Sequence, residues 1–104
     1  MSIVTVYAVF GDRAEAERIG QITIEERLAA CVNILGSVQS IYWWEGEIRA
    51  EEEVAAIFKT TERQANALIS RIAGLHSYEV PCVVSYPIDQ VRADYQAWVE
   101  ESVG

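Results

Sequence analysis

Residues 40–54 read SIYWWEGEIRAEEEV, and the fold turns on what this segment does. Glu45-Gly46 separates two extended runs and reads as the turn of a hairpin. Successive side chains on a strand point to opposite faces, so Ile41 and Trp43 face one side while Tyr42 and Trp44 face the other. Large apolar rings therefore stand on both faces of the sheet at one place. A chain of 104 residues has little left with which to cover both.

Working outward, residues 30–44 form the first arm of the hairpin, with a bulge expected at Gly36-Ser37. Residues 48–60 form the second arm, where Val54, Ala56 and Phe58 alternate with Ala55, Ile57 and Lys59. Upstream, Ile3–Phe10 carries one wholly apolar face (Val4, Val6, Ala8, Phe10) and one mixed face, the pattern of a central strand. Gly11-Asp12 breaks it, and over residues 13–27 the period changes to that of a helix, with Ala16, Ile19, Gly20 and Thr23 on one face. Beyond the hairpin, Thr61-Glu62-Arg63-Gln64 fits a capping box, with the Thr61 hydroxyl and the Gln64 side chain taking the first free amides. Ala65, Leu68, Ile69 and Ile72 then predict a second helix, and Gly74 weakens its last turn. HSYEVP is a loop, CVVSYPI a short strand whose Pro87 suits an edge or an end, and Tyr95, Trp98, Val99 and Ser102 mark a closing helix capped near Asp94.

The order βαββαβ plus a helix predicts a single α+β domain over residues 1–104. It is a ferredoxin-like sandwich with a long hairpin between its second and third strands, an additional C-terminal helix, and one sheet face left bare. An arm of about 15 residues at ~3.3 Å each spans roughly 50 Å, whereas a compact domain of this size is about 35 Å across. The hairpin overshoots its core with the aromatics at its far end. Another copy of the chain is the economical cover, with Ile41, Tyr42, Trp43 and Trp44 at the seam. Three twisted sheets can close edge to edge into a prism, although physics alone does not fix that number. The competing cover is the C-terminal helix, folded over the bare face with Trp98 against the hairpin rings.

Composition narrows the function. With 51% hydrophobic and 23% charged residues the chain should fold, and its apolar runs fall short of the roughly 20 residues of a membrane span. No basic and apolar leader opens it, so a cytoplasmic protein is expected. A net charge of −8 opposes a phosphate-binding surface and hence nucleic acid. Cys31 and Cys82 form no CxxC and are expected to be buried free thiols.

ERLAACVNI (26–34), SIYWWEGEI (40–48), EEV with FKTTE (52–62), LHSYEVP (75–81) and DYQAW (94–98) resemble, in order and spacing, the CutA divalent-cation-tolerance family. The chain departs at Gly36-Ser37, Ser77 and Cys82, where that family commonly has Pro near the bulge, Pro, and Glu. The resemblance implies a cytoplasmic trimer similar to PII signalling proteins, built through the long hairpin strands. It also implies a role in tolerance of copper and other divalent ions.

Each candidate residue has a functional and a structural reading. His76, the one histidine, either caps the second helix or ligates copper or zinc, and as a ligand it needs company such as Cys31, Cys82 or Glu79. Cys31 either fills a strand or offers a thiolate to Cu(I). Lys59 lies in an otherwise apolar strand and needs a carboxylate, either Glu53, Glu79 or a neighbour's. It therefore makes an intersubunit ion pair or anchors a small anion in a cleft with Trp44, Glu53, His76, Tyr78 and Glu79. Glu51, Glu52 and Glu53 are read mainly as a solvated edge. No nucleophile–base motif or phosphate-cradling loop is present in the sequence. The expectation is a non-enzymatic homotrimer that requires no cofactor and binds a small molecule, or copper or another divalent cation, at its clefts. The alternatives are an enzyme acting on a small anion through Lys59 and Glu79, and a scaffold that docks other proteins.

Overall fold

The elements run β1 (Ile3–Phe10), α1 (Arg13–Glu25), β2 (Cys31–Trp44), β3 (Glu47–Thr61), a short 3-10 turn (Glu62–Gln64), α2 (Ala65–Leu75), β4 (Val83–Pro87) and α3 (Ala93–Ser102). This is a computed structural model, and it describes residues 2–104. The strands form one four-stranded sheet in the order β2-β3-β1-β4 with every neighbouring pair antiparallel, the ferredoxin-like α+β arrangement. Pro87 ends the edge strand β4, where its missing N–H costs no ladder bond.

The apolar face of β1 (Val4, Val6, Ala8, Phe10) meets Val54, Ala56 and Phe58 of β3 under α1 and α2. Ile19 of α1 and Leu68 and Ile72 of α2 complete this core, all fully buried. Each such side chain contributes about 1.5–3 kcal/mol relative to leaving it in water.

A second, smaller cluster corrects the expectation of a bare face. On the opposite side of the sheet, Val99 of α3 and Val103 just beyond it pack on Ile3, with Ala30, Ile88, Val91 and Tyr95 around them. The C-terminal helix thus covers one end of that face. Trp98 packs against Tyr95, ring centroids 5.6 Å apart, and not against the hairpin rings.

Two expected caps also change. Thr61 accepts the N–H of Gln64, but the Gln64 side chain donates to the carbonyl of Gly104 at 2.6 Å instead of closing the box. Asp94 pairs with Arg92 at 2.8 Å, and Arg92 is the residue at the cap position of α3.

The hairpin is where the sheet leaves its core. β1 pairs with β3 only from Thr61 to Val54, so the β2–β3 pairs from Val38–Glu53 to Trp44–Glu47 have no third strand beside them. That overhang is roughly 20 Å long, and it stretches the molecule to 45 × 26 × 22 Å. Its turn takes Glu45 and Gly46 at φ of 50° and 79°, the doubly left-handed geometry that matches the twist of paired strands.

The expected bulge is present and has a larger consequence than a kink. The register slips between Ile34 and Gly36, and Gly36 takes φ of 103°. Before the slip, Val32 and Ile34 lie opposite the core residues Phe58 and Ala56. After it, Ser37 lies opposite Val54, so odd-numbered residues now share the helix-side face. Ile41 and Trp43 therefore extend the core face into open solvent, while Tyr42 and Trp44 turn to the other side.

Candidate functional site

A cavity of about 680 Å³ lies on that other side, at the root of the overhang. β2 supplies Ser40, Tyr42 and Trp44, which share that face, to its wall, and β3 supplies Arg49, Glu51 and Glu53. Tyr7 and Val9 of β1 form its inner end, and the segment before β4 closes it with Tyr78, Glu79, Val80 and Cys82.

The closing segment is fixed by two buried side chains. Glu15, on the first turn of α1, accepts the N–H of Ser77 at 2.7 Å and that of Gly11 at 3.2 Å. Burial alone would raise its pKa, but the Ser77 and Gly11 donors outweigh it and hold the carboxyl below its ordinary value. His76 uses both ring nitrogens: Nδ1 accepts the N–H of Tyr78 at 3.0 Å, so Nε2 carries the hydrogen and donates to the carbonyl of Val9 at 2.7 Å. Its ring stacks on Phe10, with centroids 5.2 Å apart. Tyr78 is thereby placed to donate its hydroxyl to Glu53 Oε2 at 2.7 Å.

The cavity is electrostatically negative. Burial, followed by the Glu53 carboxylate, pushes the Tyr78 hydroxyl well above the usual phenol range. Tyr7 and Cys82 are raised by burial first, with Glu53 adding to it, and Tyr42 by desolvation and then by Glu51. Glu53 is only 6% exposed. The three consecutive glutamates thus divide: Glu51 and Glu53 line the cavity, whereas Glu52 faces the other way and accepts the Ser37 hydroxyl at 3.2 Å.

Of the residues singled out in the sequence, the structure brings Trp44, Glu53, Tyr78 and Glu79 together. His76 stands behind the wall as its brace. Lys59 is not among them: it sits between Thr5 and Cys31, six positions along β3 from Glu53, or about 20 Å. Among the described residues no carboxylate lies within 4.0 Å of it. Cys31 is half-buried beside Lys59, its Sγ 3.4 Å from the Tyr95 hydroxyl, whose pKa is pushed up to about 12 by burial and by that contact. Cys82 is exposed, contrary to the expected burial, because it precedes β4 and only its carbonyl is tied down, by the N–H of Val9.

His76 bonds to Val9 of β1, whereas Cys31 lies on β2, across Lys59 of β3 from Thr5, and the histidine has no nitrogen free. Among the described residues no three His, Cys, Asp or Glu side chains are grouped to hold a metal ion. One protomer does not assemble a copper site from them. Sequence reasoning missed Glu15, although Asp12-x-x-Glu15 has the spacing of a capping box, and Asp12 does accept the Glu15 N–H at 2.8 Å.

The chain is thus a ferredoxin-like domain with an overhanging hairpin and an aromatic, acidic cavity at its root. Residues 4–102 match the CutA1 divalent ion tolerance protein family, and the chain belongs to that family. It is 40% identical over 101 residues to the divalent-cation tolerance protein CutA of Thermotoga maritima, an alignment covering 97% of this chain and 99% of that one. The structure described as the periplasmic divalent cation tolerance protein CutA of Archaeoglobus fulgidus superposes with a TM-score of 0.94 at 35% identity, covering 98% and 99% of the two chains. Crystalline CutA1 from Oryza sativa gives a TM-score of 0.96 at 34% identity, covering 100% of this chain and 95% of that one. No helix among the described residues is long and apolar enough to cross a membrane.

Proposed function

We propose that the chain is a homotrimeric, non-enzymatic protein of divalent-cation tolerance that binds a small molecule in the cavity at the root of its hairpin. The observation that carries this reading is the overhang. Ile41, Trp43 and Ile48 stand 71%, 70% and 65% exposed on a two-stranded ribbon that no other element among the described residues covers. An isolated ribbon of this length is marginal in water, and its apolar face continues the core face of the sheet, so another copy is the fitting cover. Assembly through the hairpin would set subunit boundaries beside the cavity.

The compartment does not follow from family membership, because one member is described as periplasmic. Sedimentation tests the assembly: a trimer of 11.6 kDa chains gives a species of about 35 kDa that persists on dilution, and a stable monomer rejects the reading. Copper and zinc titrations of wild type and His76→Ala test the metal reading. Identical isotherms remove His76 as a ligand.

A further inference from the structure

We propose that the cavity takes a small organic cation, an alkylated ammonium carried on a short neutral stem. The inference rests on the proposed function of this cavity and adds the charge and shape of what enters it. Its aromatic wall includes Tyr42, Trp44 and Tyr78, whose ring faces attract cations through their quadrupoles. Glu51, Glu53 and Glu79 set three carboxylates against the single guanidinium of Arg49.

Glu53 carries the case further than an acidic cluster could. It is more than nine-tenths buried, and no basic group lies within 4.0 Å of it among the described residues. Tyr78 occupies Oε2, and Oε1 meets no donor among the described residues. Among the described residues no fully buried side-chain oxygen is left unpartnered, so Oε1 keeps some access to solvent, and Glu53 is one of the residues that line the cavity. Tyr78 thus uses one carboxylate oxygen and leaves the other as an acceptor for a cation that enters the cavity.

The other ligand classes fit less well. An anion would meet two more negative than positive groups. A neutral molecule would leave Glu53 uncompensated. A bare divalent ion needs several converging donors, and the described residues offer no group of three. Alkylammonium groups need only aromatic faces and a nearby negative charge, and both are present.

The test uses the whole protein and two probes of the same shape, choline and its neutral carbon isostere dimethylbutanol. Tryptophan emission and calorimetry should show saturable choline binding, with the isostere weaker by about tenfold or more. Glu53→Gln should lose a similar factor. Because that variant also disturbs Tyr78, Glu51→Gln is the second probe; it leaves the Tyr78–Glu53 bond in place and should still lose affinity for choline but not for the isostere. Equal binding of the two probes, or no saturable choline signal, overturns the cation assignment. Sedimentation reports separately on the assembly, so a trimer that binds neutral or anionic molecules refutes the cation and spares the parent reading.

Discussion

Glu15 shows how one side chain far from the hairpin sets the cavity wall. Its carboxylate receives two backbone donors from different loops, so it ties the end of β1 to the start of the closing segment. Glu15→Gln keeps the volume but weakens those charge-assisted bonds, and should cost on the order of 1–3 kcal/mol at neutral pH in urea unfolding. The pH dependence has a definite sign. The folded pKa lies below the unfolded one, so this stabilisation is complete above the unfolded value of about 4.3 and is lost as pH falls through the lower folded value. The gap between wild type and variant should close in acid; a gap that is constant down to pH 3 rejects the assignment. The sequence reading grouped Tyr78 and Glu53, and the structure places both at the cavity, whereas the contacts of His76 were not legible. A lone histidine after a helix looks like a cap or a ligand, and only the return of β1 brings the Val9 carbonyl to its ring.

The second strand depends on a single inserted residue. Up to Ile34 the even-numbered side chains face the helices, and beyond Gly36 the odd-numbered ones do. Strict alternation from Val32 would have put Tyr42 and Trp44 under the helices' side of the sheet and left the cavity without its rings. The glycine announced that a bulge was there, and the alternation alone did not show which face each arm would present after it. Gly36 takes φ of 103° with open space around its α-carbon, so backbone strain and not a clash decides its replacement. Gly36→Val should therefore cost about 1–3 kcal/mol in urea unfolding. Gly74 in α2 also has open space but no left-handed φ, and Gly74→Ala should stabilise by about 0.5–1 kcal/mol. Similar effects at both positions would show that the bulge conformation is not required.

At the scale of the molecule, the length of the hairpin was written in the chain but its surroundings were not. Two apolar arms around Glu45-Gly46 are longer than the core they serve, which predicts an overhang, and the long axis of 45 Å bears it out. The position of α3 was less legible, since its apolar residues suit any bare patch. Its packing on Ile3 at the far end of the sheet depends on Ile88 and Val91 arriving there first in the chain. That placement matters, because Trp98 then cannot shield the ribbon from within. The exposed Ile41, Trp43 and Ile48 are left to an outside partner, and a second copy is the proposed one. Trp43 is the sharpest place to test it: its ring is 70% exposed and leans on no core. In an isolated chain Trp43→Glu would change stability by less than about 0.5 kcal/mol, as surface substitutions generally do. In an assembly it would bury a charge at a dry seam, at a cost of several kcal/mol per copy. The proposed trimer therefore predicts that Trp43→Glu sediments near 11.6 kDa and melts at lower temperature, and that the melting temperature depends on protein concentration in wild type alone. A variant that keeps the mass and melting point of the wild type would mean that the ribbon is stable in water and that the seam lies elsewhere.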